Sequence, residues 1–216
     1  QTVPKLFLAD MDSTMICGET LDDLAGFAGV REQVAALTAR AMDGSMDYRE
    51  ALSARLQLVK GVGSDVINRV RTTQTPSPGA AELIVSLKSH GILTVLVSGG
   101  FTVFTEPVAQ ALGFDHHHGN ILDLDKTGHV TSRVIDPLIH HTKKREILLE
   151  YCKKLGITPA QAIATGDGAN DIPMLQTAGV GIAYRPKPAV QKVIQNQILY
   201  TDLTSILYAV GLEHPI

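Results

Sequence analysis

Two carboxylates, Asp10 and Asp12, stand directly after the apolar run Leu6-Phe7-Leu8-Ala9. Carboxylates at the end of a buried segment are costly unless a cation, a proton or a partner offsets them. Spacing of two puts both side chains on one side of an extended segment. One such carboxylate can attack an electrophilic phosphorus and form an aspartyl-phosphate. The other can protonate the leaving oxygen and later activate water. The pair equally fits a strand-end turn with an acidic helix cap, and alone it does not choose between these readings.

A second acidic turn, Gly166-Asp167-Gly168-Ala169-Asn170-Asp171, follows the apolar segment 162–165. Hard oxygen ligands of this kind suit Mg²⁺, and the glycines let the backbone approach an anion. A Gly-rich turn before a helix that Asp171 complements is the plainer alternative. Ser98-Gly99-Gly100-Phe101 offers a hydroxyl and backbone N–H groups at a helix start, which suits an anion. Taken singly, an N-cap serine explains it better. Lys144, between Lys143 and Arg145, is the fourth piece. One lysine reaching inward would neutralise a phosphoryl group, although three adjacent cations usually mark a solvated face.

The elements that must carry these residues alternate. Residues 5–9, 92–97, 162–165, 180–183 and 198–200 read as buried strands, and 80–89, 102–112, 143–155, 171–177, 188–194 and 203–210 as helices. Gly91, Gly113 and Gly156 stop three of these helices. Between 19 and 71 the apolar positions recur only at helical spacing, giving a compact helical segment whose last helix Ser64 or Asp65 can cap. Thr75-Pro76-Ser77-Pro78-Gly79 is a break. Residues 120–124 and 129–134 read as a β-hairpin around Asp125-Lys126-Thr127-Gly128. Buried strands alternating with helices predict a mostly parallel sheet covered on both faces, with ligands at the carboxyl ends of its strands. All three acidic or Gly-rich turns fall there. The helical segment follows the first strand, so it should hang over the same edge as a lid.

The chain has 216 residues, enough for a core without staples. Its net charge of −3 argues against nucleic acid as the main partner. No apolar run approaches the ~18 residues of a membrane span, and no leader is visible, so a cytoplasmic protein is expected. The chain begins at Gln1, which is compatible with a preceding leader or domain. Two cysteines, Cys17 and Cys152, do not make a disulfide scaffold. Cys17 is expected as a small buried thiol. Gly61-Val62-Gly63 is too weak to signal a nucleotide. His116, His117 and His118 read as a surface cluster rather than a transition-metal site.

Together and in this order, DMDST (10–14), VSGG (97–100), a lysine and GDGAND (166–171) resemble the four motifs of the haloacid dehalogenase superfamily of phosphohydrolases. The resemblance runs along nearly the whole chain. Within the superfamily, CGETLDDLA (17–25) and MDGSMDYREALSARLQLVKG (42–61) are similar to the phosphoserine phosphatase branch. The resemblance implies an α/β fold: a three-layer, doubly wound parallel sheet (1–16 and 76–216) with an inserted helical cap (17–75) and a β-hairpin. It implies Asp10 as nucleophile and Asp12 as general acid and base. Mg²⁺ would be held by the Asp10 side chain, the Asp12 backbone carbonyl and Asp167. Ser98, the Gly99 backbone, Lys144 and Asn170 would bind the phosphoryl group, and Asp171 would support the metal or Lys144 from behind. Glu19 would meet the substrate ammonium and Arg55 its carboxylate. The stretches 115–118 and 136–141 depart from the family pattern, which leaves Lys143 as the alternative to Lys144. The implied partner is a small phosphomonoester, O-phosphoserine, in serine biosynthesis, with no nucleic acid and no membrane. A homodimer is left open. A phosphotransferase on the same scaffold and a non-catalytic phospho-ligand binder are the competing readings.

Overall fold

The computed structural model describes residues 3–42 and 45–212, so Asp43 and Gly44 of the 42–61 stretch lie outside the described residues. The chain runs β1 (Leu6–Ala9), β2 (Ile16–Cys17), then α1 (Thr20–Phe27), α2 (Arg31–Met42), α3 (Tyr48–Leu58) and α4 (Ser64–Thr73). It continues through β3 (Thr75–Pro76), α5 (Ala80–Ser89), β4 (Leu93–Phe101), α6 (Thr102–Leu112) and β5 (His116–Asn120). The hairpin strands β6 (Leu122–Leu124) and β7 (Val130–Val134) precede α7 (His141–Leu155) and β8 (Ala162–Gly166). Last come α8 (Ile172–Thr177), β9 (Val180–Tyr184), α9 (Pro188–Gln191), β10 (Gln197–Ile198) and α10 (Ser205–Ala209).

Six parallel strands form the main sheet in the order β10-β9-β8-β1-β4-β5. Alternation along β1 sorts its side chains to two cores. Leu6 and Leu8 join Val95, Val97 and Ala164 against Ile147, Leu148 and Tyr151 of α7. Phe7 and Ala9 join Leu96 and Ile163 against Leu83 and Ile84 of α5, Phe104 of α6 and Ile206 of α10. The result is three layers, as expected. The chain first builds outward on one side of β1, through β4 and β5, and then returns to place β8 on its other side. The crevice between the carboxyl ends of β1 and β8 is therefore a topological switch point.

Several expectations are corrected. His116–Asn120 is one of the two edge strands of the sheet, although its three histidines show no strand alternation. The rings of His116 and His118 pack on Tyr151, while His117 Nδ1 meets the Thr105 hydroxyl at 2.9 Å. The three are thus shared between two packing faces. β4 runs on through Ser98-Gly99-Gly100 to Phe101. The N-cap of α4 is Gly63, without a side-chain cap bond, so neither Ser64 nor Asp65 caps it. The helix 188–194 shortens to four residues, and the expected last strand 198–200 shortens to Gln197–Ile198. Ile16–Cys17 pairs antiparallel with Thr75–Pro76 as a short ribbon at the two ends of the helical segment. Cys17 is exposed rather than buried. Gly61 and Val62 exchange backbone bonds with Val130, which ties the helical segment to the hairpin. No helix among the described residues is long and apolar enough to cross a membrane.

Close packing fixes where β9 lies against α8. A Cβ on Gly181 would stand 2.0 Å from the Leu175 backbone oxygen. Gly181→Ala should therefore destabilise the fold by about 1–3 kcal/mol. Its melting temperature should fall by several degrees; an unchanged melting curve would contradict this packing.

Candidate active site

Lys144 lies on the stripe of α7 that also carries Ile147, Leu148 and Tyr151, so helix geometry turns it into the sheet. It is fully buried. Its Nζ lies 2.7 Å from Asp10 Oδ1 and 2.6 Å from Asp171 Oδ1. Lys143 points away and pairs with Glu146 and Glu150, so Lys144 is the inward lysine. Burial alone would lower the Lys144 ammonium, but Asp10 and Asp171 outweigh it and hold it above its ordinary value.

Asp10 directly follows β1 and accepts the Met11 N–H on the same Oδ1 at 2.8 Å. Among the described residues its Oδ2 accepts no hydrogen bond. Asp171 is fixed at both oxygens, because its Oδ2 accepts the N–H groups of Asp167 and Gly168 at 3.2 and 3.0 Å. Glycine at 166 allows this, since a Cβ there would stand 2.4 Å from the Asp171 carboxyl carbon. Thr14 donates to Asp167 Oδ1 at 3.4 Å.

Carboxylate oxygens of Asp10, Asp167 and Asp171 lie within 4.8 Å of one another. Burial, then Asp171, pushes Asp10 well above the usual carboxylate range despite Lys144. Burial raises Asp167 to about 6, although Lys187 opposes the shift. Three buried carboxylates facing one buried ammonium fit a hard divalent cation. Such a charge would oppose the upward shifts of Asp10 and Asp167.

Asp12 faces the other way. Its Oδ1 accepts the Thr20 N–H at 2.8 Å and its Oδ2 accepts from Ser98 Oγ at 3.2 Å. The turn that achieves this is not a simple extended segment: Asp12 is extended at φ −64° but Ser13 is left-handed at φ +56°. Burial, then the Glu19 carboxylate, raises the Asp12 carboxyl to about 7. Ser98 Oγ in turn accepts the Gly100 N–H at 2.8 Å. A Cβ at Gly100 would stand 2.9 Å from Asp12 Oδ2.

A cavity of about 300 Å³ opens over these groups, lined by Asp10, Asp12, Ser98, Gly99, Asp167 and Asn170 from the strand ends, and by Glu19 and Arg55. Every expected site residue thus meets in one place except Lys144 and Asp171, which lie behind Asp10 rather than in the cavity wall. Arg55 Nε donates to the Ala51 carbonyl at 3.2 Å and Nη1 to Thr38 Oγ1 at 3.4 Å. Burial lowers its guanidinium below the ordinary value.

Two cavity residues went unread in the sequence. The Tyr48 hydroxyl, from α3, has its one proton within reach of the Gly99 and Ile139 carbonyls, at 3.3 and 3.1 Å. Nothing local marks it, because the contact depends on how α3 docks. Lys187 follows the carboxyl end of β9, where ligands are expected in such a sheet, and that position was a usable signal. Its Nζ lies 3.1 Å from both Glu19 Oε1 and Asp167 Oδ2.

Removing the buried ammonium leaves Asp10 and Asp171 without their cation. Lys144→Met should lose about 3–5 kcal/mol of stability, read as a lower urea midpoint. An unchanged midpoint would mean that Lys144 does not hold the two carboxylates.

Residues 4–179 match the model of the haloacid dehalogenase-like hydrolases. The phosphoserine phosphatase of Albidiferax ferrireducens is 44% identical over 209 residues, covering 94% of this chain and 88% of that one. A phospho-aspartyl intermediate analogue of a phosphoserine phosphatase superposes with a TM-score of 0.89 at 35% identity, covering 96% of this chain and 99% of that one. A family hydrolase from Salmonella enterica superposes with a TM-score of 0.91 at 32% identity, covering 96% and 72%. The strand-end carboxylates, the buried lysine and the match over most of its length make this chain a member of the haloacid dehalogenase-like hydrolases.

Proposed function

We propose that this chain is a Mg²⁺-dependent phosphatase that hydrolyses O-phospho-L-serine to L-serine and phosphate through an aspartyl-phosphate. The observation that carries the reading is the single cavity where Asp10, Asp12 and Asp167 sit beside Glu19 and Arg55. Phosphoserine carries a phosphate, a carboxylate and an ammonium, and the cavity has an answer for each. Ser98, the Gly99 backbone and Asn170 would bind the phosphoryl group, with Lys144 supplying charge from behind Asp10. Arg55 would pair with the carboxylate and Glu19 with the ammonium. The relatives that bear the phosphoserine phosphatase name support this choice of substrate. Residues 17–75 would act as the lid that brings Glu19 and Arg55 over the strand ends.

The residues divide the chemistry. Asp10 Oδ1 is occupied by Lys144 and the Met11 N–H, which leaves Oδ2 to attack phosphorus. The Asp10–phosphorus bond forms as the bond to the serine oxygen breaks, and Asp12 gives that oxygen its proton. Asp12 then takes a proton from water, which attacks phosphorus, releases phosphate and restores Asp10. Its placement between the Thr20 N–H and Ser98 Oγ holds it in the cavity wall for both transfers. Mg²⁺, held by the Asp10 side chain, the Asp12 backbone carbonyl and Asp167, would offset the charge of the phosphoryl oxygens.

A panel of phosphoserine, phosphothreonine, phosphoethanolamine and sugar phosphates with Mg²⁺ tests the assignment. Phosphoserine should have the highest kcat/KM; equal rates across the panel would refute it. Charge-assisted bonds contribute about 1.5–3 kcal/mol each. Arg55→Ala should accordingly raise KM for phosphoserine roughly ten- to a hundredfold. Phosphoethanolamine, which lacks the carboxylate, should be turned over as before. An equal loss on both substrates would contradict a carboxylate contact.

A further inference from the structure

Lys187 is presented by a rigid piece of chain. β9 ends at Tyr184, and the next residue, Arg185, is left-handed at φ +42°. Pro186 and Pro188 flank the lysine and fix their own φ angles. The Lys187 N–H donates to the Asp167 carbonyl at 2.9 Å. The same residue thus grips Asp167 by backbone and by side chain. Its ammonium takes Oδ2 of Asp167 and Oε1 of Glu19. Ser13 Oγ donates to that same Glu19 oxygen at 2.9 Å. Among the described residues Oε2 of Glu19 accepts no hydrogen bond, and Oδ1 of Asp167 accepts only the long bond from Thr14.

We propose that Lys187 is a positioning residue for the amino-group subsite: it takes one oxygen from Glu19 and one from Asp167, so that Glu19 offers a single oxygen to the substrate ammonium and stays off the metal. This rests on the phosphoserine reading above. Glu19 and Asp167 serve different cations in that reading, yet they share one neighbour at 3.1 Å. Two carboxylates that close would otherwise be bridged by whichever mobile cation arrived, the divalent ion first because of its charge. A tethered ammonium stays at high local concentration beside both carboxylates, and its single charge cannot do the work of a divalent ion. It therefore separates the two subsites while keeping them adjacent.

Lys187→Met keeps the aliphatic stem and removes the charge. Direct calorimetric titration with Mn²⁺ should then show binding about tenfold tighter than wild type, because Asp167 loses a competing cation and Glu19 is released toward the ion. KM for phosphoserine should rise about tenfold, while KM for its desamino analogue, 3-phosphonooxypropanoate, should stay near the wild-type value. Lys187→Arg, which keeps the charge, should bind Mn²⁺ as wild type does. Unchanged Mn²⁺ affinity in the Met variant, equal KM changes for the two substrates, or an Arg variant that binds Mn²⁺ as tightly as the Met variant would each overturn the proposal. A wild-type enzyme indifferent to the amino group would instead refute the phosphoserine reading, so the two failures are distinguishable.

Discussion

A buried ammonium between two buried carboxylates, Lys144 with Asp10 and Asp171, is the interaction on which the rest of the site depends. None of the three could stand in this interior alone. Asp10 is committed there because β1 ends there, and Lys144 because the core stripe of α7 passes behind it. Asp171 completes the group by holding the second acidic turn with its other oxygen. One charge balance thus locks the ends of β1 and β8 to the start of α7, and it leaves Oδ2 of Asp10 without a donor among the described residues.

From that anchor the remaining groups divide by direction. Asp12 turns away from Lys144 toward Ser98 and Thr20, so the two aspartates of one short turn meet different partners. Their environments differ in kind: one carboxylate is held by a lysine, the other by neutral donors. That difference is a physical basis for the two roles proposed for them. Glu19, Tyr48 and Arg55 of the same cavity come from the segment inserted after β1, which reaches the same strand ends. The short ribbon between β2 and β3 closes the two ends of that segment onto the core.

Most of the sheet was legible because buried strands and amphipathic helices have distinct periods. The two helices 80–89 and 102–112 were read to the residue. The acidic turns were legible because carboxylates and glycines at strand ends are chemically conspicuous. The motif order selects Lys144 over Lys143, and its spacing to Ile147, Leu148 and Tyr151 is the physical reason that choice holds. β5 was not legible: three histidines carry no apolar alternation, and the strand exists because β4 offers an edge and Tyr151 offers a face. The contacts of Tyr48 depend on how α3 docks, which no local pattern encodes, whereas the position of Lys187 just past the end of β9 was a signal left unused. The continuation of β4 through two glycines likewise reflects pairing of Phe101 with Asn120 rather than strand propensity.

The central claim is that the oxygen of Asp10 left free by Lys144 attacks phosphorus. The most direct measurement is to quench turnover of phosphoserine in acid, reduce with borohydride and locate the modified residue by mass spectrometry. The account predicts conversion of the aspartate at position 10 alone to homoserine, the product expected from an acyl phosphate. Modification at Asp12 or Asp167 instead, or rapid turnover with no trapped residue, would contradict it.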